Sequence, residues 1–180
     1  MRVTEPFVKV SYVLWLVANG ANNIRVSVDG AEPEHKIIAQ TLELKAYRRQ
    51  SLTGSKVDWT GRFSREAVDI TVLSKPGIDI EAHFPDGKVL FVECKGEATP
   101  SGVKSGLDLT AFYTALGQLI ITADDEGKSP LKLVLVVPDT PRLRDRVIRS
   151  AQNSRIKKLS VGLALVDESG KVTEITPNLR

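Results

Sequence analysis

The chain has 180 residues, 42% hydrophobic and 26% charged, which is typical of an ordinary globular protein and predicts a single domain over residues 1–180, with residues 1–32 a candidate N-terminal extension. A single cysteine, Cys94, excludes an internal disulfide and a multi-cysteine zinc site, and it fits a reducing cytoplasm. The longest apolar stretch near the start, residues 12–18, is too short to span a bilayer and lacks a signal-peptide cleavage site, so we expect neither membrane insertion nor export.

Two helical patterns come first along the chain. Apolar residues recur near a period of 3.6 from Glu5 to Val17, which predicts a helix, and alternation from Ile24 to Val28 predicts a short strand. A second helix is predicted from Pro33 to about Arg49, because proline suits a first helical turn. Residues 50–66 are polar and contain glycine, which is typical of a loop or an irregular hairpin.

Three strands are then predicted in close succession. They cover Val68 to Leu73, Ile78 to Phe84 and Lys88 to Lys95, and two turn signals, Lys75-Pro76-Gly77 and Pro85-Asp86-Gly87, separate them. Short turns join antiparallel neighbours, so we expect an antiparallel three-stranded meander.

Helices and strands alternate over the rest of the chain. The patterns predict a helix from Asp108 to Ala123, a strand from Leu131 to Val137, a basic helix from Pro141 to Lys158, and strands from Val161 to Val166 and from Val172 to Ile175. The order of elements predicts an α/β fold in which a mixed β-sheet, the meander plus the following strands, is flanked by helices on both faces.

Positive charge is concentrated in one segment. Between Arg142 and Lys158 lie seven basic residues and one acid, Asp145, so this segment carries +6 and the rest of the chain −3. Such a surface could bind a polyanion such as nucleic acid, and a solvated helix face explains the same charge equally well.

The turn Phe84-Pro85-Asp86-Gly87-Lys88 decides how the second and third strands align. Proline suits the first central position of a type I turn and glycine the left-handed residue that ends it, which favours a three-residue loop with a G1 bulge. This loop pairs the two ends of the turn with each other and hence Asp79 with Glu93. A two-residue loop would instead pair Asp79 with Cys94, and the carboxylates would point to opposite faces. Because the proline favours the first register, we predict Asp79, Glu93 and Lys95 on one face.

Two acids and one lysine in this arrangement suit phosphodiester hydrolysis. Directly opposed carboxylates, with Cβ atoms roughly 4.5–5.5 Å apart, repel each other, and a divalent cation relieves the repulsion. Mg²⁺ prefers oxygen ligands and is typically held by one or two carboxylates plus substrate phosphate. A neighbouring lysine can orient the attacking water and stabilise charge that develops at phosphorus. The competing interpretation is a solvent-exposed sheet face with ordinary charges.

The run Pro76-Gly77-Ile78-Asp79, followed by Glu93-Cys94-Lys95, resembles the PD-(D/E)xK motif of the restriction-endonuclease-like superfamily. The resemblance extends to the order of elements over residues 33–166, and the sequence departs from the motif in that Gly77 and Ile78 separate the proline from the aspartate. It implies a restriction-endonuclease-like fold and a metal-dependent DNA endonuclease of the restriction, repair or junction-resolving type. Mg²⁺ is the implied cofactor, for which Mn²⁺ can substitute, and DNA is the implied partner.

The resemblance also assigns roles. Asp79 and Glu93 would ligate the metal, the backbone carbonyl of Cys94 would add a ligand, and Lys95 would position or polarise the nucleophilic water. A homodimer is expected, because cutting both strands usually needs two active sites. The alternative is a module of the same fold that binds nucleic acid without catalysis. The sequence shows no phosphate-binding glycine loop, nucleophile elbow or histidine pair, so another class of hydrolase lacks support.

Further members of the site are less defined by the sequence. Many relatives carry another glutamate on the helix before the meander, for which Glu34 is the candidate, while Glu43 and Glu5 compete. Relatives that resemble exonucleases have a glutamine on the following helix and a tyrosine four residues later. Gln118 matches the glutamine, but Thr122 stands at the tyrosine position. Two more acids, Glu81 and Glu97, flank the predicted site and could bind a second metal.

Overall fold

The computed structural model describes residues 3–29, 32–50, 59–97, 107–126 and 131–175. The helices are α1 (Glu5–Ala18), α2 (Glu32–Leu44), α3 (Leu107–Glu126), α4 (Pro141–Gln152) and α5 (Ser154–Lys158). The strands are β1 (Asn23–Ser27), β2 (Arg48–Gln50), β3 (Gly61–Arg65), β4 (Val68–Leu73), β5 (Ile80–His83), β6 (Val89–Cys94), β7 (Leu131–Pro138), β8 (Val161–Val166) and β9 (Val172–Ile175). The α/β class is therefore confirmed.

All nine described strands form one mixed sheet with the order β2-β3-β4-β1-β5-β6-β7-β8-β9. Strands β6, β7 and β8 are parallel neighbours, and α3 and then α4 and α5 connect them. Because β1 is antiparallel to β5 and β5 is antiparallel to β6, β1 runs in the same direction as β6. The carboxyl ends of β1, β6, β7 and β8 therefore lie along one edge of the sheet.

Helices cover both faces of the sheet, as expected for a three-layer packing. Buried apolar side chains of α1 and α2 pack with Ile24, Val92 and Val136 on one face. Those of α3 and α4 pack with Phe91 and Leu135 on the other. None of the helices in the described stretches combines the length and apolar character that crossing a bilayer requires.

The predicted three-stranded meander is wrong, because β1 lies between β4 and β5. Strand β1 pairs in parallel with β4 and antiparallel with β5. Ile24 therefore lies between its two strand partners, Ile70 on β4 and Ala82 on β5. Neighbouring strands are about 4.8 Å apart, so the connection over residues 74–79 spans roughly 10 Å, which six residues do easily. The turn signal around Pro76 is real, but a local signal does not reveal that another strand occupies the space between.

Residues 3–29 overlap the segment that the sequence set apart as a candidate extension, and they are part of the core. Ile24 and Val26 are fully buried in the middle of the sheet, and Val8, Tyr12 and Val13 of α1 are fully buried on its face. Removing this segment would expose the centre of the sheet. The nine-stranded core thus begins well before residue 33, where the family resemblance starts.

Two helix ends differ from the sequence-based expectation. Helix α2 ends at Leu44 and not near Arg49, because Ala46 adopts a left-handed φ of 65° and the Tyr47 N–H donates to the Leu42 carbonyl, a Schellman motif. The chain then forms β2, which pairs antiparallel with β3. Of the predicted loop or irregular hairpin over residues 50–66, β3 is described and residues 51–58 lie outside the described residues. The basic helix is divided into α4 and α5 at Asn153, whose backbone is extended.

Candidate functional site

The β5–β6 hairpin has the register that its turn predicts. Ile80 pairs with Val92 and His83 with Val89. At the turn, the Phe84 N–H donates to the Lys88 carbonyl and the Gly87 N–H donates to the Phe84 carbonyl, each at 3.0 Å. Gly87 has φ of +83°, the left-handed conformation of a G1 bulge. The three-residue loop is therefore confirmed, and it brings Asp79 to the same level of the sheet as Glu93.

Asp79 lies one residue before the first paired residue of β5, so its predicted place within the strand is wrong by one position. Its Oδ2 accepts a hydrogen bond of 2.7 Å from the Cys94 N–H. In a continued antiparallel ladder this N–H would bond to the carbonyl of residue 78. The Asp79 carboxylate thus replaces a backbone acceptor, which ends the ladder and fixes the side chain between the two strands.

Glu93 and Lys95 form the second part of the site. Lys95 Nζ lies 2.8 Å from Glu93 Oε1, and the two side chains are 25% and 9% exposed. Burial, together with the nearby charge of Asp79, raises the pKa of Glu93 to about 7, although the Lys95 ammonium favours the charged form. Burial raises the pKa of Asp79 as well. The charge of Asp79 therefore adds to burial in disfavouring the ionised form of Glu93.

A second lysine, which the sequence did not suggest, completes this cluster. Lys9 Nζ lies 2.7 Å from Asp79 Oδ1, 3.2 Å from Glu5 Oε1 and 3.4 Å from the Ser27 carbonyl oxygen. Its side chain is only 3% exposed. Burial lowers the pKa of Lys9, but the two carboxylates outweigh burial and raise it above its usual value. The sequence feature that could have indicated this contact is the pair of Glu5 and Lys9, four residues apart in a mostly apolar helix.

Gly96 allows the first turn of α1 to pack closely beside the site. A Cβ atom at this position would lie 2.1 Å from the Glu5 backbone nitrogen and 2.7 Å from the Thr4 carbonyl carbon, which no side chain could tolerate. The Glu97 N–H also donates to the Val3 carbonyl at 2.9 Å. The residue after Lys95 therefore acts as the docking point for the first turn of α1, which brings Glu5 and Lys9 to Asp79.

The cluster sits at the carboxyl edge of the sheet, where open α/β sheets usually bind their ligands. Cys94 is the last residue of β6 and Ser27 the last of β1, and the Lys95 N–H donates to the Val136 carbonyl of β7 at 3.0 Å. The charged groups of the cluster therefore lie where β1, β6 and β7 end.

The oxygen donors of the cluster fit Mg²⁺. Asp79 and Glu93 supply carboxylates, and Cys94 is past the last β5–β6 pair, so the ladder with β5 no longer occupies its carbonyl. Within the described stretches, no group of three or more His, Cys, Asp or Glu side chains is arranged to hold a metal. Mg²⁺ does not require one, since it commonly takes one or two carboxylates and completes its shell with water and phosphate. The Cys94 thiol is fully buried and burial raises its pKa, so its side chain is a core group.

The roles of the other predicted residues remain predictions. Glu34 is half-buried in the first turn of α2, and Gln118 is exposed on α3. Glu81 contacts His83 at 2.8 Å and Arg25 at 3.5 Å. Of the three glutamates considered for the helix position, Glu5 is the one that the structure joins to Asp79, through Lys9.

A basic groove runs between α3 and α4. Its main cavity, of about 280 Å³, is lined by Tyr113, Leu116, Arg146, Arg149, Ser150, Asn153 and Ile156. A second cavity of about 190 Å³ adds Arg142 and Asp145 to the lining. The Arg146 guanidinium lies 5.5 Å from the centre of the Tyr113 ring. Arg144, by contrast, is paired with Asp139. Since α4 follows the carboxyl end of β7, the groove begins at the same edge of the sheet as the acidic cluster.

The chain matches no protein-family model, and no curated protein or solved structure is similar to it. Its function therefore has to be inferred from the geometry of the carboxyl edge and from the basic groove beside it.

Proposed function

We propose that the chain is a Mg²⁺-dependent nuclease of restriction-endonuclease-like fold, which hydrolyses phosphodiester bonds of DNA. The observation that carries this proposal is the buried pair of Asp79 and Glu93, with Lys95 hydrogen-bonded to Glu93, at the carboxyl edge of the sheet. Burying two acids together costs free energy, as the raised pKa of Glu93 reports. A protein retains such a pair where function requires it, and binding a cation is the simplest function that removes the cost.

The reaction adds the hydroxide of one water molecule to phosphorus and the proton to the leaving oxygen. Asp79, Glu93 and the Cys94 carbonyl would hold Mg²⁺, which when bound supplies positive charge at the scissile phosphate. Lys95 is the more exposed of the two lysines, at 25% against 3% for Lys9. Its ammonium can therefore reach the substrate, orient the attacking water and stabilise the charge that develops on the phosphoryl oxygens.

The basic groove supports a nucleic acid as substrate. Arg142, Arg146 and Arg149 recur at intervals of four and three residues, so they form one stripe along α4, and Tyr113 adds an exposed aromatic ring. Guanidinium groups bind phosphates, and an aromatic face can stack on a base. A homodimer belongs to this proposal, because cleaving both strands requires two such sites.

Cleavage of supercoiled plasmid in Mg²⁺ or Mn²⁺ tests the proposal. We expect Asp79→Asn, Glu93→Gln and Lys95→Met each to lower the cleavage rate by roughly a hundredfold or more. Glu81→Gln is the matched control, because it removes a carboxylate from the same hairpin whose contacts are with His83 at 2.8 Å and Arg25 at 3.5 Å. Glu34→Gln and Gln118→Ala, measured in the same assay, test the two remaining predicted site residues.

Two outcomes would contradict the proposal in different ways. Cleavage that survives all three site substitutions would show that the cluster is not the active site. Tight DNA binding without cleavage in any divalent metal would favour the non-catalytic binding module instead. A panel of linear, supercoiled, branched and single-stranded DNA would then define the substrate.

The DNA surface has its own test. In EDTA, we expect Arg142→Ala, Arg146→Ala and Arg149→Ala to weaken DNA binding. Each variant should also lower the slope of log affinity against log salt by about 0.9 for every phosphate of duplex DNA that the protein no longer neutralises. Arg62→Ala is the control, because Arg62 is an exposed arginine of β3, paired with Asp69. Unchanged slopes in the three groove variants would place the DNA elsewhere.

A further inference from the structure

We propose that Lys9 takes the place of a second metal ion, so that the site holds a single divalent cation per chain. This inference rests on the proposed function, and it assigns Lys9 as a positioning residue that occupies one oxygen of Asp79. From the sequence, Glu81 and Glu97 could bind a second metal ion; with Lys9 in its place, we expect one metal ion only.

Asp79 is the residue that a second metal would have to share, and both of its oxygens are already engaged. Oδ2 accepts from the Cys94 N–H at 2.7 Å, and Oδ1 is 2.7 Å from the Lys9 ammonium. A carboxylate that bridges two metal ions commonly offers one oxygen to each. With Lys9 in place, a positive charge already lies 2.7 Å from Oδ1 and repels a cation there, so the open lone pair of Oδ2 is left for a single metal ion.

Burial and several polar contacts hold Lys9 in its position. Its neighbours in sequence, Val8 and Val10, are buried, and its ammonium also contacts Glu5 Oε1 at 3.2 Å and the Ser27 carbonyl at 3.4 Å. Moving it to solvent would take this donor away from two buried acceptors, the Asp79 carboxylate and the Ser27 carbonyl, which is costly. The lysine is therefore a fixed part of the site.

The charge of the cluster also favours one cation. With every group ionised, the carboxylates of Glu5, Asp79 and Glu93 and the ammonium groups of Lys9 and Lys95 leave a net charge of −1. One divalent ion changes this to +1, whereas two would give +3 in a largely desolvated region, where like charges repel strongly. Glu81 does not supply the missing charge, because it faces Arg25 and bonds to His83.

Counting Mn²⁺ ions per chain tests this inference without relying on activity. Isothermal titration with Mn²⁺, supported by electron paramagnetic resonance of the bound ion, should give one ion in the wild-type chain. Lys9→Met, which keeps the length of the side chain and removes its charge, should bind two. Lys95→Met is the matched control: it removes an equal charge that contacts Glu93 and leaves Asp79 Oδ1 occupied, so it should still bind one.

Melting in EDTA and in Mn²⁺ gives a second measurement. Mn²⁺ should raise the melting temperature of Lys9→Met more than that of the wild-type chain, because the added ions replace a lost buried charge. Should Lys9→Met fail to fold even in Mn²⁺, the wild-type count and Lys9→Arg, which should bind one ion, still decide the matter. Two ions in the wild-type chain, or one in a folded Lys9→Met variant, would overturn the inference. Two ions in Lys95→Met would show that charge alone, and not the position of Lys9, sets the number.

The failure of this inference is distinct from failure of the proposed function. If the wild-type chain binds two ions and cleaves DNA, the proposed nuclease activity stands and the role of Lys9 is wrong. If the wild-type chain binds no divalent ion, the proposed function and the role of Lys9 are both wrong.

Discussion

The site has two halves of opposite character, the β5–β6 hairpin and the first turns of α1. The hairpin contributes Asp79, Glu93 and Lys95, which lie within 17 residues of one another in the sequence, and a single turn fixes their alignment. Helix α1 contributes Glu5 and Lys9, which are some seventy residues away from Asp79. The hairpin half needs only its turn to be correct, whereas the α1 half needs the whole core to form.

The two halves of the site therefore have different proposed roles. In the proposed nuclease, the hairpin, which has the more exposed lysine, would carry the reactive groups and the metal ligands. Lys9 of α1 is buried and compensates the charge of Asp79, so in the same proposal it would set how many cations the hairpin accepts. Changes in the hairpin should therefore act on activity, and changes at the α1 contact should act first on stability.

The largest effect on stability is expected from Gly96→Ala. The new Cβ would meet the Glu5 backbone at 2.1 Å, and because backbone cannot turn aside, α1 must shift away from the site. We expect the free energy of unfolding in urea to fall by about 3 kcal/mol or more, the upper range for overpacking. Gly117→Ala in α3 is the control: a Cβ there meets nothing within 4 Å, so the variant should be unchanged or slightly more stable. Equal stability of both variants would mean that α1 does not dock at Gly96.

The next effect concerns the pH dependence of stability in the metal-free protein. The pKa of Glu93 is about 7 in the folded chain against its ordinary 4.5, so the folded state binds this proton more tightly than the unfolded state. The contribution of Glu93 to the free energy of unfolding is therefore full below about pH 4.5 and is lost as the pH rises towards 7. Between pH 5 and pH 8, the wild-type chain should lose about 2–3 kcal/mol more than Glu93→Gln, by the conversion of pKa into free energy.

Urea unfolding of both chains in EDTA at several pH values measures this difference. Parallel pH profiles for wild type and Glu93→Gln would show that Glu93 is not held as a neutral acid. In Mg²⁺ the wild-type loss should shrink, because the cation favours the ionised carboxylate. Glu174→Gln, which removes an exposed carboxylate of β9, is the control and should leave the profile unchanged.

A smaller effect is expected at the turn of the hairpin. Gly87 has φ of +83°, so Gly87→Ala should lower the free energy of unfolding by about 1 kcal/mol, the usual cost of a left-handed side chain. Gly87→Asn should cost less, because asparagine tolerates this conformation. Equal stability of the glycine and alanine chains, measured by urea unfolding, would argue against the G1 bulge and the register it fixes.

The smallest effect should come from Glu5→Gln. Glu5 is 34% exposed and contacts Lys9 at 3.2 Å, so the pair is partly screened by water. We expect a loss of about 0.5 kcal/mol in the free energy of unfolding, typical of helix pairs four residues apart. A loss several times larger would mean that Glu5 is as important to Asp79 as Lys9 is, and that the two halves of the site are less distinct than their burial indicates.

The sequence by itself determined the α/β class, most of the helices and strands, and the local alignment of the hairpin. It could do so because periodicity and turn chemistry act over a few residues, as Pro85 and Gly87 illustrate. The same locality explains the error at the meander, since nothing near Pro76 indicates that β1 enters between β4 and β5.

Only the tertiary structure decided the other half of the site. Lys9 reaches Asp79 because β1 carries the chain through the centre of the sheet and Gly96 admits the first turn of α1. Both contacts join residues that are distant in sequence, and no local pattern encodes them. Burial then turns an ordinary Glu-Lys pair into a fixed charge beside a carboxylate, because desolvation makes the lysine costly to move.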